Sequence, residues 1–404
     1  MKNQYDNKPH TNKFLEATNL FLIFLRLGLT SFGGPIAHLG YFRQEFVERR
    51  KWLSEHAYVD LVALCQLLPG PASSQVGIAI GLARAGYLGA LVSWIGFTLP
   101  SAIILVLFAY GLTEMSNVVN AGWIHGLKIV AVAVVAQAVW GMSKNLCPDR
   151  TRITFAIIAA LMTSIFPGVS GQVSAIVGGG IMGWLLLKQK QDFPHADFPI
   201  KTSKFSGGAA LALFLFLLVF LPMFINASSN SLIYLFENFY RVGSLVFGGG
   251  HVVLPLLESV AVSGGMVSND LFLAGYGLAQ AVPGPLFSFA AYLGAISHIP
   301  PNGLLGAAIC LSAIYLPSFL LVIGVLPFWE NIRHYQWVKQ AMLGVNATVV
   351  GLLLAALYNP VWTNAVYTVV DFCFALGAFL LLSFWKWPPW LVVLLGAGVG
   401  ELLN

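Results

Sequence analysis

The chain has 404 residues, of which 58% are hydrophobic and only 9% charged, with 21 basic against 16 acidic side chains. Soluble domains carry about 25% charged residues, so a soluble core, a disordered chain and a secreted disulfide scaffold are all excluded. The mean hydropathy of +0.79 points the same way. In such a chain a net charge of +5 reads as orientation signal, not as nucleic-acid binding.

Apolar runs near about 20 residues recur throughout, as transmembrane helices require. The alternation of an outer-membrane barrel is absent. The expected class is therefore an all-α integral membrane protein. Residues 1–13 form a polar tail holding Lys2, Lys8 and Lys13. No short apolar run with a small-residue cleavage site follows, so no removable signal peptide is expected. A first half spans 14–187. A polar cytoplasmic linker at 188–205 and an extra apolar segment at 207–225 precede a second half at 231–403.

The halves repeat each other. RLGLTSFGGP near residue 26 matches RVGSLVFGGG near 241, which pairs Arg26 with Arg241 and Phe32-Gly33-Gly34 with Phe247-Gly248-Gly249 at offset 215. QLLPGP from Gln66 matches QAVPGP from Gln280, and Ser74 matches Ser288, at offset 214. Pro100 matches Pro317 at 217 and Gly126 matches Gly344 at 218. Loop insertions produce drifts of this size.

Loop charge predicts that the halves face opposite ways. Arg43, Arg49, Arg50 and Lys51 mark one cytoplasmic loop; Lys144, Arg150 and Arg152 mark another. The loop at 112–121 has no Lys or Arg. In the second half the pattern flips. The loop at 258–270 is free of Lys and Arg, and that at 330–340 holds Arg333, His334 and Lys339. The segment 207–225 is what would invert the second copy. Inverted repeats are a transporter signature.

Parity then requires one of the two stretches 57–83 and 86–110 to return to its own side. Prolines and glycine at Pro69-Gly70-Pro71 break the first of them at its centre. The span 14–42 is broken likewise at Gly33-Gly34-Pro35. Arms of about 14 residues reach about 21 Å, past the midplane of a core about 30 Å thick but not across it. Both are read as re-entrant helical hairpins, repeated at 231–257 and 270–296. Full crossings are expected at 86–110, 122–142, 152–167, 170–187, 207–225, 300–326, 340–358, 364–383 and 388–403. These nine place the N-terminus inside and the C-terminus outside.

The hairpin tips carry the chemistry. Pro35, Pro71 and Pro285 sit where proline suits a first helical turn; Gly250 replaces it at the fourth tip. Pro283 and Gly284 complete the second PGP. Each second arm would aim its N-terminus at mid-membrane. A helix N-terminus carries roughly +0.5 charge and free N–H donors, so four converging ends predict an anion site. Arg26 and Arg241 lie about 18 Å deep, where a charge costs at least ~2.5–3.5 kcal/mol without a partner. Each either caps carbonyls at a broken helix or flanks a bound anion. The second reading is favoured because the arginine recurs, and the guanidinium fork suits a tetrahedral oxyanion.

Other polar residues divide between chemistry and structure. Gln66 and Gln280 could donate to an oxyanion or bind backbone at the break. Ser73, Ser74 and Ser288 suit ordinary helix capping, with anion binding as the alternative. His251 has no partner in the first half, where Ile36 stands and His38 lies two residues on. A satisfied buried histidine is the simpler reading there, and proton coupling the other. Glu45 is expected to pair with Arg49 or Arg50, and Arg84 to snorkel. Glu258 and Asp60 carry no assigned role. His125 and Lys128 read as structural, and Gly178-Gly179-Gly180 with Gly396 and Gly398 as close-packing positions. Cys65, Cys147, Cys310 and Cys373 show no metal or redox spacing. No GxxxxGK[ST] motif is present, so no nucleotide cofactor is expected. No intramembrane catalytic pair is evident, so an enzyme is not expected.

FGGPIAHLGYFRQEFVERRKWLSEHAYVDLVALCQLLPGPASSQ resembles the signature of the chromate ion transporter family, as do FGGGHVVLPLLE and LAQAVPGPLFSFAAYLGA. The two-half arrangement is similar to that family's long fused form. The resemblance implies a multi-pass inner-membrane transporter of chromate, with sulfate as a related oxyanion and chromate export conferring resistance. The FGG and PGP segments fall on the family's motif positions, as do Arg26, Gln66, Arg241 and Gln280. Moving a dianion out of a cell with a negative interior is favourable by about 4.6 kcal/mol per 100 mV, so export could run on membrane potential alone. Donor pockets discriminate weakly between chromate and sulfate, which share shape and charge. An uptake permease and an anion channel remain the alternatives, and a homodimer is left open.

Overall fold

The computed structural model describes residues 13–114, 122–188, 202–227, 230–247, 253–332 and 335–403. Among them every regular element is helical. The first half contains α1 (Lys13–Thr30), α2 (Gly34–Arg43, widened into a π turn over Gln44–Arg49), α3 (Glu55–Leu67), α4 (Ala72–Glu114), α5 (Gly122–Leu146), α6 (Arg150–Ile165) and α7 (Val169–Leu186). α8 (Lys204–Ala227) stands between the halves. The second half contains α9 (Ser231–Leu245), α10 (Val253–Ala261), α11 (Asn269–Ala281) and α12 (Phe289–Ile296, entered through a 3₁₀ turn at Leu286–Ser288). α13 (Gly303–Val325), α14 (Trp329–Ile332), α15 (Gln336–Ala356), α16 (Val369–Ser383) and α17 (Pro389–Leu403) complete it.

The breaks fall where the sequence predicts them. α1 stops at Thr30, Gly33 and Gly34 take φ of 99° and 76°, and Pro35 opens α2. α3 stops at Leu67, Gly70 takes φ 117°, and α4 begins after Pro71. Its counterpart Gly284 takes φ 108° between α11 and the turn before α12. Positive φ is the left-handed region that glycine enters without a Cβ penalty. The caps repeat as well. Ser54 accepts from the Ala57 N–H to start α3, and Ser268, 214 residues on, accepts from the Leu271 N–H to start α11.

Of the nine full crossings expected, five fall on helices that, among the described residues, are long and apolar enough to cross a membrane: α4, α5, α8, α13 and α15. α6, α7, α16 and α17 have 16, 18, 15 and 15 residues. At 1.5 Å per residue these reach about 23–27 Å, short of a core about 30 Å thick. Hydropathy registers an apolar run as a crossing whatever the helix length. The hairpin arm and the crossing expected at 57–83 and 86–110 are also joined more tightly than predicted. α4 runs through both, bent only at Ala85 and Gly86, the latter at φ 68°.

The halves interlock through glycines. A Cβ on Gly126 of α5 would collide with the Gly396 carbonyl of α17, and one on Gly344 of α15 with the Gly179 carbonyl of α7. A Cβ on Gly400 would stand 2.6 Å from the Gly126 Cα, and one on Gly183 would stand 2.7 Å from the Gly344 Cα. Shifting each residue by 217 or 218 turns one contact into the other. That is the relation an approximate two-fold axis between the halves imposes. Of the glycines singled out for close packing, Gly179 and Gly396 do pack so, whereas Gly178 and Gly398 face open space.

Polar side chains pin the halves at their ends. Lys128 reaches Asp270 at 2.8 Å, His125 Nε2 lies 2.8 Å from Asp371 Oδ1, and the Trp329 indole donates to Asp60 at 3.1 Å. His125 and Lys128 are thus structural, as expected. In the basic loop, Glu45 takes both Arg49 (3.1 Å) and Arg50 (2.6 Å), as predicted. Burial pushes the Glu45 carboxyl up, but hydrogen bonds from Arg50 and Arg49 outweigh it and hold the group below the usual carboxylate range. Arg84 does more than snorkel: it pairs with Glu16 at 2.9 Å and lies over the Trp52 ring.

Candidate functional site

The broken tips of each half dock on the breaks of the other. The Gly70 N–H donates to the Val246 carbonyl at 2.6 Å, and the Gly284 N–H donates to the Ser31 carbonyl at 3.0 Å. Gly70 matches Gly284 at offset 214 and Ser31 matches Val246 at 215, so the two bonds are symmetry mates. A Cβ on Gly70 would stand 2.6 Å from Ser318 Oγ, and one on Gly284 would stand 2.9 Å from Ser101 Oγ. Ser101 and Ser318 are themselves matched, each following the proline inside α4 (Pro100) or α13 (Pro317). α4 and α13 meet at this level. There Thr98 and Tyr315, again matched at offset 217, bring their hydroxyls beside that of Ser74. Equivalent residues that touch each other lie on the axis.

This centre is rich in hydroxyls with few acceptors. Those of Ser31, Ser74, Thr98 and Tyr315 are buried, and Ser74, Thr98 and Tyr315 have little beyond one another within reach among the described residues. Buried polar groups are ordinarily fully paired, so a hydroxyl cluster that can pair only with itself marks a place for an acceptor. Gln75 is fully buried, donates to the Pro69 carbonyl at 2.6 Å and faces Ser318 Oγ at 3.5 Å. An acceptor-only oxyanion would satisfy such hydroxyls, each through its O–H.

The residues singled out from sequence distribute unevenly around this centre. Gly70, Pro71, Ser74, Pro285 and Ser288 are buried there, and Pro69, Pro283 and Gly284 are half-buried. The Gly70 and Gly284 amides are not the free donors expected, because the opposite half's carbonyls take them. Ser288 gives its hydroxyl to the Pro285 carbonyl at 2.7 Å, a local turn bond. Gln280 holds its amide beside the buried Tyr276 hydroxyl, while Gln66 is exposed. Gly33 is exposed, and Gly34 and Pro35 are half-buried. Gly248, Gly249, Gly250 and His251 lie outside the described residues.

The two arginines differ. Arg26 is exposed on α1, and its guanidinium has no partner among the described residues. Arg241 is half-buried on α9, five residues before the carbonyl that receives Gly70. It lies 3.3 Å from Glu237 and donates to Asn238 Oδ1 at 2.8 Å. Sequence reasoning missed Glu237, because its first-half counterpart is Leu22 and no repeat flagged it. It also missed Ser31, Gln75, Thr98, Ser101, Tyr315 and Ser318. For Ser101 and Ser318 a signal was present, since each follows a matched proline. A pocket of about 250 Å³ between α8 and α9, lined by Leu221, Phe224, Leu232, Ile233 and Phe236, is apolar and unsuited to an anion.

The geometry predicts a specific sensitivity. Gly70→Ala forces a side chain into φ 117° against Ser318 and Gln75. Left-handed backbone costs about 1–2 kcal/mol for a residue with a Cβ. Anion flux per inserted molecule should fall about tenfold or more, the equivalent of 1.4 kcal/mol. Ser318→Ala in the same chain should recover part of the loss by removing the collision. Full flux in Gly70→Ala vesicles would show that the tip does not shape the site.

No solved structure matches this chain. A Pseudomonas aeruginosa protein named chromate transport protein is 26% identical, over 95% of this chain and 91% of its own length. A Synechococcus elongatus protein named probable chromate transport protein is 26% identical, with 98% of each chain covered. An uncharacterised transporter of Methanocaldococcus jannaschii is 27% identical, over 96% of this chain and 94% of its own. The profile of the family described as chromate transporter matches twice, over residues 18–184 and 233–401, once in each half. With both halves matched and the helices of a multi-pass membrane protein in place, the chain belongs to the chromate transporter family, in its fused two-half form.

Proposed function

We propose that this chain exports tetrahedral oxyanions, chromate foremost, by alternating access at the crossing of α4 and α13. The observation that carries the reading is the reciprocal pair of bonds, Gly70 to Val246 and Gly284 to Ser31. It brings both PGP tips close to the buried hydroxyl cluster of Ser74, Thr98 and Tyr315. The names of the full-length relatives support chromate as the substrate. The flipped loop charges support an inverted second half, with the tips as re-entrant hairpins at mid-membrane. Hydroxyl donors flanked by the guanidinium groups of Arg26 and Arg241 recognise charge and tetrahedral shape, so sulfate should compete. Two negative charges leaving a negative interior release about 4.6 kcal/mol per 100 mV, which favours efflux without a nucleotide.

Inside-out vesicles holding the chain test this. Under an imposed inside-positive potential, labelled chromate should accumulate saturably and excess sulfate should suppress it. Accumulation no greater than in empty vesicles, at sound expression, would remove chromate as the substrate. Accumulation only under the opposite polarity would make the protein an uptake permease. Flux that never saturates would make it a channel.

A further inference from the structure

Glu237 is a carboxylate with an unusual setting. It is 2% exposed, and neither oxygen is in hydrogen-bond geometry with any described group. Its only ionic partner among the described residues is Arg241, one turn further along α9 at 3.3 Å. α8, α10 and α13 pack against α9. Their titratable groups are Lys204 on α8, Glu258 on α10, and Cys310 and Tyr315 on α13; α9 itself adds Tyr234 and Tyr240. Of these charges only Arg241 acts on Glu237. Tyr240 spends its hydroxyl on the Phe214 carbonyl at 2.9 Å. Arg241 in turn has a buried Nε with no partner among the described residues and a bond to Asn238 Oδ1 at 2.8 Å. Its guanidinium therefore keeps donor capacity beyond Glu237 and Asn238.

We propose that Glu237 is a proton-binding site coupled to the anion site through Arg241, so that an oxyanion and a proton bind together. The inference rests on Arg241 serving as an anion ligand. An anion that draws the guanidinium toward itself strips Glu237 of its one counter-charge. A buried carboxylate left alone is too costly to stay ionised and takes a proton instead. Conversely, protonating Glu237 frees Arg241 for the anion. The coupling is reciprocal, because each ligand raises the affinity for the other by the same factor. A dianion then moves with one proton, so one net charge crosses the membrane per cycle in place of the two carried by a bare dianion. Leu22 stands at the equivalent place in the first half, so the device exists once per chain.

The test uses the purified full-length chain and sulfate, which keeps both charges across the neutral range. Affinity should rise as pH falls, by up to tenfold per pH unit while Glu237 titrates. In weak buffer with a pH indicator, sulfate should draw protons from solution, up to one per anion bound. Glu237→Gln should bind sulfate at high pH as the native chain does at low pH, with no proton uptake. Sulfate binding that is flat with pH and takes up no proton would overturn the proposal and leave the anion reading intact. Proton uptake that persists in Glu237→Gln would assign it to another group and also overturn it. If sulfate does not bind, chromate is used, with its own protonation subtracted in a blank. If neither anion binds at any pH, both readings fall. Should Glu237→Gln fail to insert, Glu237→Asp takes its place, and a pH midpoint of sulfate binding that does not move with it would overturn the assignment.

Discussion

Gly344→Ala is expected to lower the unfolding midpoint of the detergent-solubilised protein by several degrees, and Gly126→Ala to do the same. Each Cβ would be driven into a backbone carbonyl of the opposite half, at Gly179 and Gly396 respectively. A carbonyl in a helix cannot rotate away as a side-chain end can, so the paired helices must separate. Overpacking of this kind costs about 1–3 kcal/mol, and in a bilayer the loss is not offset by lipid, which packs less closely than a glycine face. Gly178→Ala and Gly398→Ala are the controls, because open space lies over both positions. There the substitution should be neutral or gain up to about 1 kcal/mol of helix propensity. The pattern is sharp because Gly178 and Gly179 adjoin each other. Equal midpoints for Gly178→Ala and Gly344→Ala would mean that α7 and α15 are not in contact across the halves.

That contrast also marks what a sequence can and cannot yield here. Broken helices at Gly33-Gly34-Pro35 and Pro69-Gly70-Pro71 are legible, because proline lacks an N–H and glycine accepts positive φ wherever the fold puts them. The duplication is legible for the same reason: its clearest marks are those residues. Which of three consecutive glycines meets a neighbour is not legible. It depends on the rotation of α7 against α15, set by packing between segments about 165 positions apart. The partner of each broken helix end is hidden likewise. Local pattern says that Gly70 ends an arm, but only the assembled fold brings it to Val246 of the other half.

The site shows a further boundary. Matching the halves finds what both share, so it flagged Arg26, Arg241 and the PGP pairs. It is blind to what one half has alone, and Glu237 is of that kind. Conversely, Ser101 and Ser318 are shared but chemically plain. They gain meaning only when a glycine tip from the other half is found against each. Hydropathy measures how apolar a run is, not how long its helix is, so the 15 residues of α16 and of α17 were not legible as short helices.

Arg26→Ala and Arg241→Ala should both stop anion flux but differ in what they do to the protein. Arg26 has no partner among the described residues, so its removal strands no buried charge and the chain should insert at normal levels. Losing two charge-assisted hydrogen bonds to an anion, at about 1.5 kcal/mol each, lowers flux about a hundredfold. Arg241→Ala should cost flux as much and expression besides. It leaves Glu237, 2% exposed, without its counter-charge, and breaking a buried pair by removing one member costs about 3–5 kcal/mol. Glu237→Gln added to Arg241→Ala removes the stranded charge, so protein in the membrane should recover while flux stays at background. Quantitative blots of membranes beside vesicle flux separate the two effects. Flux that returns with expression in the double variant would make Arg241 a partner of Glu237 and nothing more. Expression lost in Arg26→Ala would reassign Arg26 to capping backbone carbonyls at the Gly33-Gly34-Pro35 break.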